Sequence, residues 1–183
     1  MRSMFLCLMF VLFGFQAQAA GQIESAYTKV ILDDCTFVAA EEVSSTYAGY
    51  FTCEGYKGMP MAIAEGDLRM FVSFGTSARE EVAYSQTLPM FNTINETFEW
   101  RLLDGKPFAT ILRWFTDDGL GATGQVLVVS QILAGHTCHI AYVDALANKN
   151  ANVLAREAAD TLAGRFDCQN EPKVLGNPGL LDY

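Results

Sequence analysis

The chain has 183 residues, 51% of them hydrophobic, with 12 Lys and Arg against 21 Asp and Glu and a formal charge of −9. A chain this acidic repels phosphate backbones and anionic headgroups, and it carries no basic cluster, which argues against nucleic acid as a partner. Its 13 Phe, 7 Tyr and 2 Trp are a core-forming and not a disordered composition.

The N-terminus reads as an export address. Arg2, the apolar run 4–15 and the small-x-small site Ala17-Gln18-Ala19 are the three parts of a secretory signal peptide over residues 1–19. The run is shorter than the roughly 20 residues that a membrane-spanning helix needs. Cleavage takes 19 of the 183 residues and one of the 12 basic ones but no acid, leaving 164 residues with a formal charge of −10. The mature chain is expected to be periplasmic or secreted, with no membrane insertion after signal cleavage. Its length suits a single globular domain over 20–168.

Strand patterns follow. Residues 27–33 and 35–39 form a β-branched run, and 41–46 is a polar loop. Short strands at 50–53 and 61–64 lead through Glu65-Gly66-Asp67 into 68–74, where Leu68, Met70, Val72 and Phe74 alternate onto one face. Ser77 with Glu80 reads as a capping box opening a short helix over 78–86, which Pro89 stops. Segments 98–103 and 108–115 form the clearest hairpin, joined by Asp104-Gly105-Lys106-Pro107. A second loop at 117–124 leads to a strand at 125–132, and Ala134-Gly135 leads to another at 137–143. Ala151, Leu154, Ala158 and Leu162 then recur at helical spacing, with Asn148 or Asn150 as N-cap, Gly164 as terminator and Arg156 with Asp160 as an exposed i,i+4 pair. Pro172, Gly176, Asn177, Pro178 and Gly179 predict a flexible tail over 169–183. Short turns between successive strands imply antiparallel pairing. The expected fold is α+β: an antiparallel, curved or partly closed sheet of about seven or eight strands with the C-terminal helix packed on it.

Four cysteines remain after cleavage: Cys35, Cys53, Cys138 and Cys168. An even count in an exported chain reads as two disulfides with three possible connectivities. Cys35–Cys53 and Cys138–Cys168 are favoured because each pair brackets one local unit.

Motifs for chemistry are sparse. Residues 119–124 spell G-x-G-x-x-G with Asp144 twenty residues on, but the dinucleotide fingerprint must open a helix and here it precedes the strand pattern Gln125-Val126-Leu127-Val128-Val129. No cofactor is expected. His136 and His139 flank Cys138, yet in a strand they point to opposite faces and do not make a closed metal site. The carboxylate pairs Asp33-Asp34, Glu41-Glu42 and Asp117-Asp118 lie in turns, where acids are usually solvated or capping. No catalytic residue is assigned. Three arginines lie within strands, Arg69, Arg101 and Arg113, and are the candidates for anion binding. Tight pairing of 98–103 with 108–115 puts Arg113 on the face of Trp100 and Ile111, where it can hold a carboxylate or stack on a ring, or else pair with an acid such as Glu99.

Glu65-Gly66-Asp67-Leu68-Arg69, Glu99-Trp100-Arg101-Leu102, Pro107-Phe108-Ala109-Thr110-Ile111-Leu112-Arg113, Gly124-Gln125-Val126-Leu127-Val128-Val129, Tyr142-Val143-Asp144-Ala145, the stretch 151–160 and Phe166-Asp167-Cys168 together resemble an uncharacterised family of exported proteins from alphaproteobacteria. The likeness runs over most of the mature chain and implies a bacterial, periplasmic setting. It carries no functional residue over, since the family has no assigned activity. The functional expectation is a non-enzymatic periplasmic binding or accessory module for a protein, peptide or small anionic ligand. A hydrolase using a carboxylate pair and a metal-handling protein using His136 and His139 are the alternatives.

Overall fold

A computed structural model describes residues 21–39, 47 and 49–182. The stretch 1–19, expected to be a signal peptide, and the stretch 41–46, expected to be a loop, lie outside these residues. Among the described residues ten strands form two sheets. The larger contains β1 (Ile23–Lys29), β6 (Phe91–Leu103), β7 (Lys106–Asp117), β8 (Thr123–Gln131), β9 (Cys138–Asp144) and β10 (Lys173–Val174), in the order β1-β6-β7-β8-β9-β10. The smaller contains β2 (Thr36–Ala39), β3 (Gly49–Glu54), β4 (Pro60–Gly66) and β5 (Arg69–Phe74), in chain order. One helix, α1 (Ala151–Leu162), follows β9.

The class is α+β with antiparallel pairing, as the turn lengths imply, but the single sheet of seven or eight strands is corrected to two open sheets. A 3-10 turn at Leu32–Asp34 breaks the run that reads as one long strand. The chain before it pairs far away, Ile23 opposite Leu103 and Lys29 opposite Thr97, while the chain after it starts the small sheet. The larger sheet is also mixed, because β10 runs parallel to β9.

Alternation decides which side chains meet. Phe98, Trp100 and Leu102 of β6, Leu112 and Trp114 of β7, and Val126 and Val128 of β8 face the small sheet, where they pack on Met61, Ile63, Met70, Val72 and Phe74. Phe74 meets the Trp100 ring edge-on at 5.6 Å between centroids. Burying each such side chain contributes about 1.5–3 kcal/mol relative to exposure. The other face of the large sheet presents Ala109, Ile111, Leu127, Val129, Ile140 and Val143 to Ala151, Ala155, Ala158 and Ala159 of α1. Alanines let the helix lie close to the sheet.

Four local expectations give way. The predicted helix over 78–86 is two 3-10 turns, Ala78–Glu80 and Val82–Ser85, and Ser77 makes no capping bond. The segment spends its polar groups on the loop before β9 and on the start of that strand: Glu81 accepts from the Gly135 and Thr137 amides, Ala83 N donates to the Thr137 carbonyl, and Gln86 accepts from His139 N. Arg156 and Asp160 do not pair with each other on the wet face, because each turns down to β6. The segment after Cys168, expected to be flexible, adds β10, buries Leu181 and donates from Leu180 N to Asp144 at 3.0 Å. Neither asparagine caps α1 with its side chain. Asn150 holds the N-cap position without a side-chain bond, and the Asn148 amide binds the tail through Asn177. Gly164 does end the helix, at φ +75°.

Candidate functional site

Each cysteine pair is bonded as the spacing favours. Cys35–Cys53 ties β3 to the turn before β2, and Cys138–Cys168 ties the chain after α1 to β9. Beside the second bond, Gln131 donates to the carbonyls of His136 and Phe166 and accepts from Gly164 N, so the helix exit is fixed to the sheet.

The three candidate arginines hold different posts. Arg69 pairs with Asp67 at 2.5 Å beside the β4–β5 turn. Arg101 is buried under α1. It grips Asp160 with two bonds, of 2.8 and 2.6 Å, and donates to Ser25 Oγ. Ser25 in turn donates to Glu99, which Arg156 of α1 holds at 2.6 Å, and that bond raises the Arg156 guanidinium pKa. This network clamps the helix to β6 and β1 and commits the buried Arg101 fork to Asp160 and Ser25. Arg113 is half-buried, and Nη1 donates to Gln125 Oε1 at 2.9 Å. The register puts Glu99 opposite Ile111 and Trp100 opposite Thr110. Arg113 therefore shares the Ile111 face but not that of Trp100, which corrects the sequence expectation. Glu99 is not its partner either.

The histidines separate. His136 is exposed, whereas His139 lies in the core between Trp114 and Tyr142, with Nδ1 2.9 Å from Tyr142 Oη. Burial pushes its pKa down to about 3, so the ring is neutral. No group of three or more metal-ligating side chains gathers among the described residues. The glycines of 119–124 form the β7–β8 loop and lead into a strand, so the nucleotide fingerprint has no helix to open. Asp144 instead accepts the Leu146 and Ala147 amides. Asp117 accepts from Gly119 N, and Asp118 from Leu120 N and Ala122 N, bonds that lower the Asp118 pKa. These carboxylates shape the loop. Asp33 and Asp34 are exposed in their turn, and Glu41-Glu42 lie outside the described residues.

What the residues do assemble is an apolar groove of about 560 Å³ at the β7–β8 loop end of the larger sheet. Here β6, β7 and β8 run past the N-terminus of α1, and their outer face is left open. Phe91, Thr93, Phe115, Thr123 and Gln125 line it from the sheet, Leu146 from the β9–α1 loop and Leu68 from the β4–β5 turn. Gly119, at φ +75°, passes so close over Phe91 that a side chain there would press on the ring. Phe91 is 41% exposed, Phe115 37%, Leu68 61% and Leu146 63%. Scattered exposed apolar residues need no explanation, but a contiguous set around a concavity does.

Sequence reasoning missed this site. Phe115 alternates with Trp114 and so must face away from the inter-sheet core, which was the available signal. Phe91 fell before the predicted start of its strand, because β6 begins seven residues earlier than its aromatic pattern suggests. Leu68 is assigned by alternation to the buried face, yet Asp67 and Leu68 form the two-residue turn itself, at φ +54° and +60°. No family model, curated protein or solved structure matches this chain.

Proposed function

We propose that this chain is an exported, non-enzymatic binding module whose groove at the β7–β8 loop end takes a ligand with an apolar face. The observation that carries the reading is the set Leu68, Phe91, Phe115 and Leu146, four large apolar side chains held half-open around one concavity by two separate loops and a paired sheet. A rigid sheet floor holds the site in shape, so little ordering cost is paid on binding. Two disulfides favour a compartment where thiols oxidise, and together with the N-terminal address they make the bacterial periplasm the proposed setting.

Nile red, a neutral apolar dye, tests the groove directly. The purified protein is expected to bind it with enhanced fluorescence, and Phe115→Ser and Leu146→Ser, both at exposed positions, to lose that binding while keeping the native circular dichroism. Absent binding by the native protein, or unchanged binding by both variants, would remove this reading.

A further inference from the structure

We propose that the groove is specific for small amphipathic monocarboxylates, with Arg113 and Gln125 holding the carboxylate and Phe115 and Phe91 the apolar body. The inference rests on the groove being a binding site and adds the chemical class of its ligand. Arg113 is the reason. A guanidinium carries five N–H donors, and the one hydrogen bond of this side chain among the described residues goes to Gln125. None of the ion pairs among those residues includes it, although the chain is rich in acids. Arg101, on the same sheet face, shows the usual outcome for a strand arginine here, with a bidentate carboxylate closed over it. Arg113 has the same planar fork and no acid to fill it.

Its placement connects that fork to the groove. Phe115 is two residues along the same face, and Gln125, which accepts from Arg113, is the cross-strand partner of Phe115 and lines the groove. An acid lying over Phe115 and Phe91 would meet the guanidinium at the end nearer α1. At the mouth stands Asp117, four residues from Arg113 and so about 13 Å further along the strand. Its carboxylate, fixed by Gly119 N at 2.7 Å, disfavours a second negative charge there. The site therefore selects one acid group and an apolar tail, and rejects a dicarboxylate of the same length.

Calorimetric titration of the purified protein with octanoate, octan-1-ol and octanedioate tests this. Octanoate is expected to bind about tenfold or more tighter than octan-1-ol, the worth of a charge-assisted bidentate contact, and tighter than octanedioate. Arg113→Gln should cancel the advantage of octanoate and leave octan-1-ol unchanged, which also reports that the variant is folded. Equal affinity for the acid and the alcohol, or octanoate binding untouched by Arg113→Gln, would overturn the carboxylate assignment while leaving an apolar groove. Failure of all three to bind would overturn the groove reading and this one together.

Discussion

Arg101 and Arg113 lie on one face of one sheet, and their surroundings differ in a way that divides that face in two. Under α1 the sheet is finished. Alanines pack against Ile111, Leu127 and Val129, and Arg101 is bonded to Asp160 and Ser25. Beyond the N-terminus of α1 the same strands continue uncovered. There Phe115 and Phe91 remain half-exposed, and the one hydrogen bond of Arg113 among the described residues goes to a glutamine. One half of the face is spent on holding the fold, and the other half is left able to interact. The difference comes from length: α1 spans only twelve residues, about 18 Å, while β6 extends over thirteen, above 40 Å.

The largest expected effect breaks the covered half. Replacing Cys138 and Cys168 together by serine opens a loop with a sequence separation of 30 and frees the helix exit from β9. Chain-entropy reasoning gives a loss of about 4 kcal/mol, read as a lowered urea midpoint under non-reducing conditions. Next is Arg101→Ala. It leaves Asp160 without its counter-charge at the sheet–helix boundary, and removing one partner of a largely buried pair costs about 3 kcal/mol. Replacing Arg101 and Asp160 together by leucine should recover part of that loss, since the uncompensated charge is then gone.

These two effects also mark what was legible in the sequence. The hairpin strands, the helix and both disulfide pairs follow from alternation, from 3.6-residue spacing and from cysteines that bracket local units. The pairing of β1 with β6 does not, because no local pattern distinguishes partners some 74 residues apart, such as Ala26 and Trp100. Arg156 and Asp160 show the same limit. Their spacing is correct for a pair on a helix, yet Glu99 and Arg101 on β6 offer better-placed partners, and only the packing of α1 brings them near. The groove was hidden for a second reason. It is built from Leu68, Phe91, Phe115 and Leu146, which lie in four separate stretches of chain, and each alone reads as an ordinary strand or loop residue.

A smaller effect belongs to the inner face and serves as a control on the comparison. His139 is neutral in the fold, its pKa pushed down to about 3 by burial, against about 6.5 in the unfolded chain. As pH falls below 6.5 the unfolded state takes up a proton that the native state refuses until near pH 3. Stability is therefore full above pH 6.5 and falls with acidification through that window, by about 2 kcal/mol between pH 6.5 and 5. Urea midpoints measured across this range should decline for the native protein and stay flatter for His139→Gln. Matching slopes in the two would show that the ring is not held neutral. The groove variants should keep the native slope, because they leave the inter-sheet core intact.

The smallest effect is the most telling for the divided face. Arg113→Gln removes a charge that no acid answers among the described residues, so its stability should lie within about 0.5 kcal/mol of the native protein. The Gln125 bond it gives up is a single contact to a neutral acceptor at a half-buried site. Arg101→Gln, the identical exchange four cross-strand positions away, strips a bidentate partner from Asp160 and should cost several times as much. Paired urea titrations of the two variants read the contrast without any ligand. If Arg113→Gln proved as costly as Arg101→Gln, Arg113 would be a second structural clamp, and the open half of the sheet would lose its claim to a free cation.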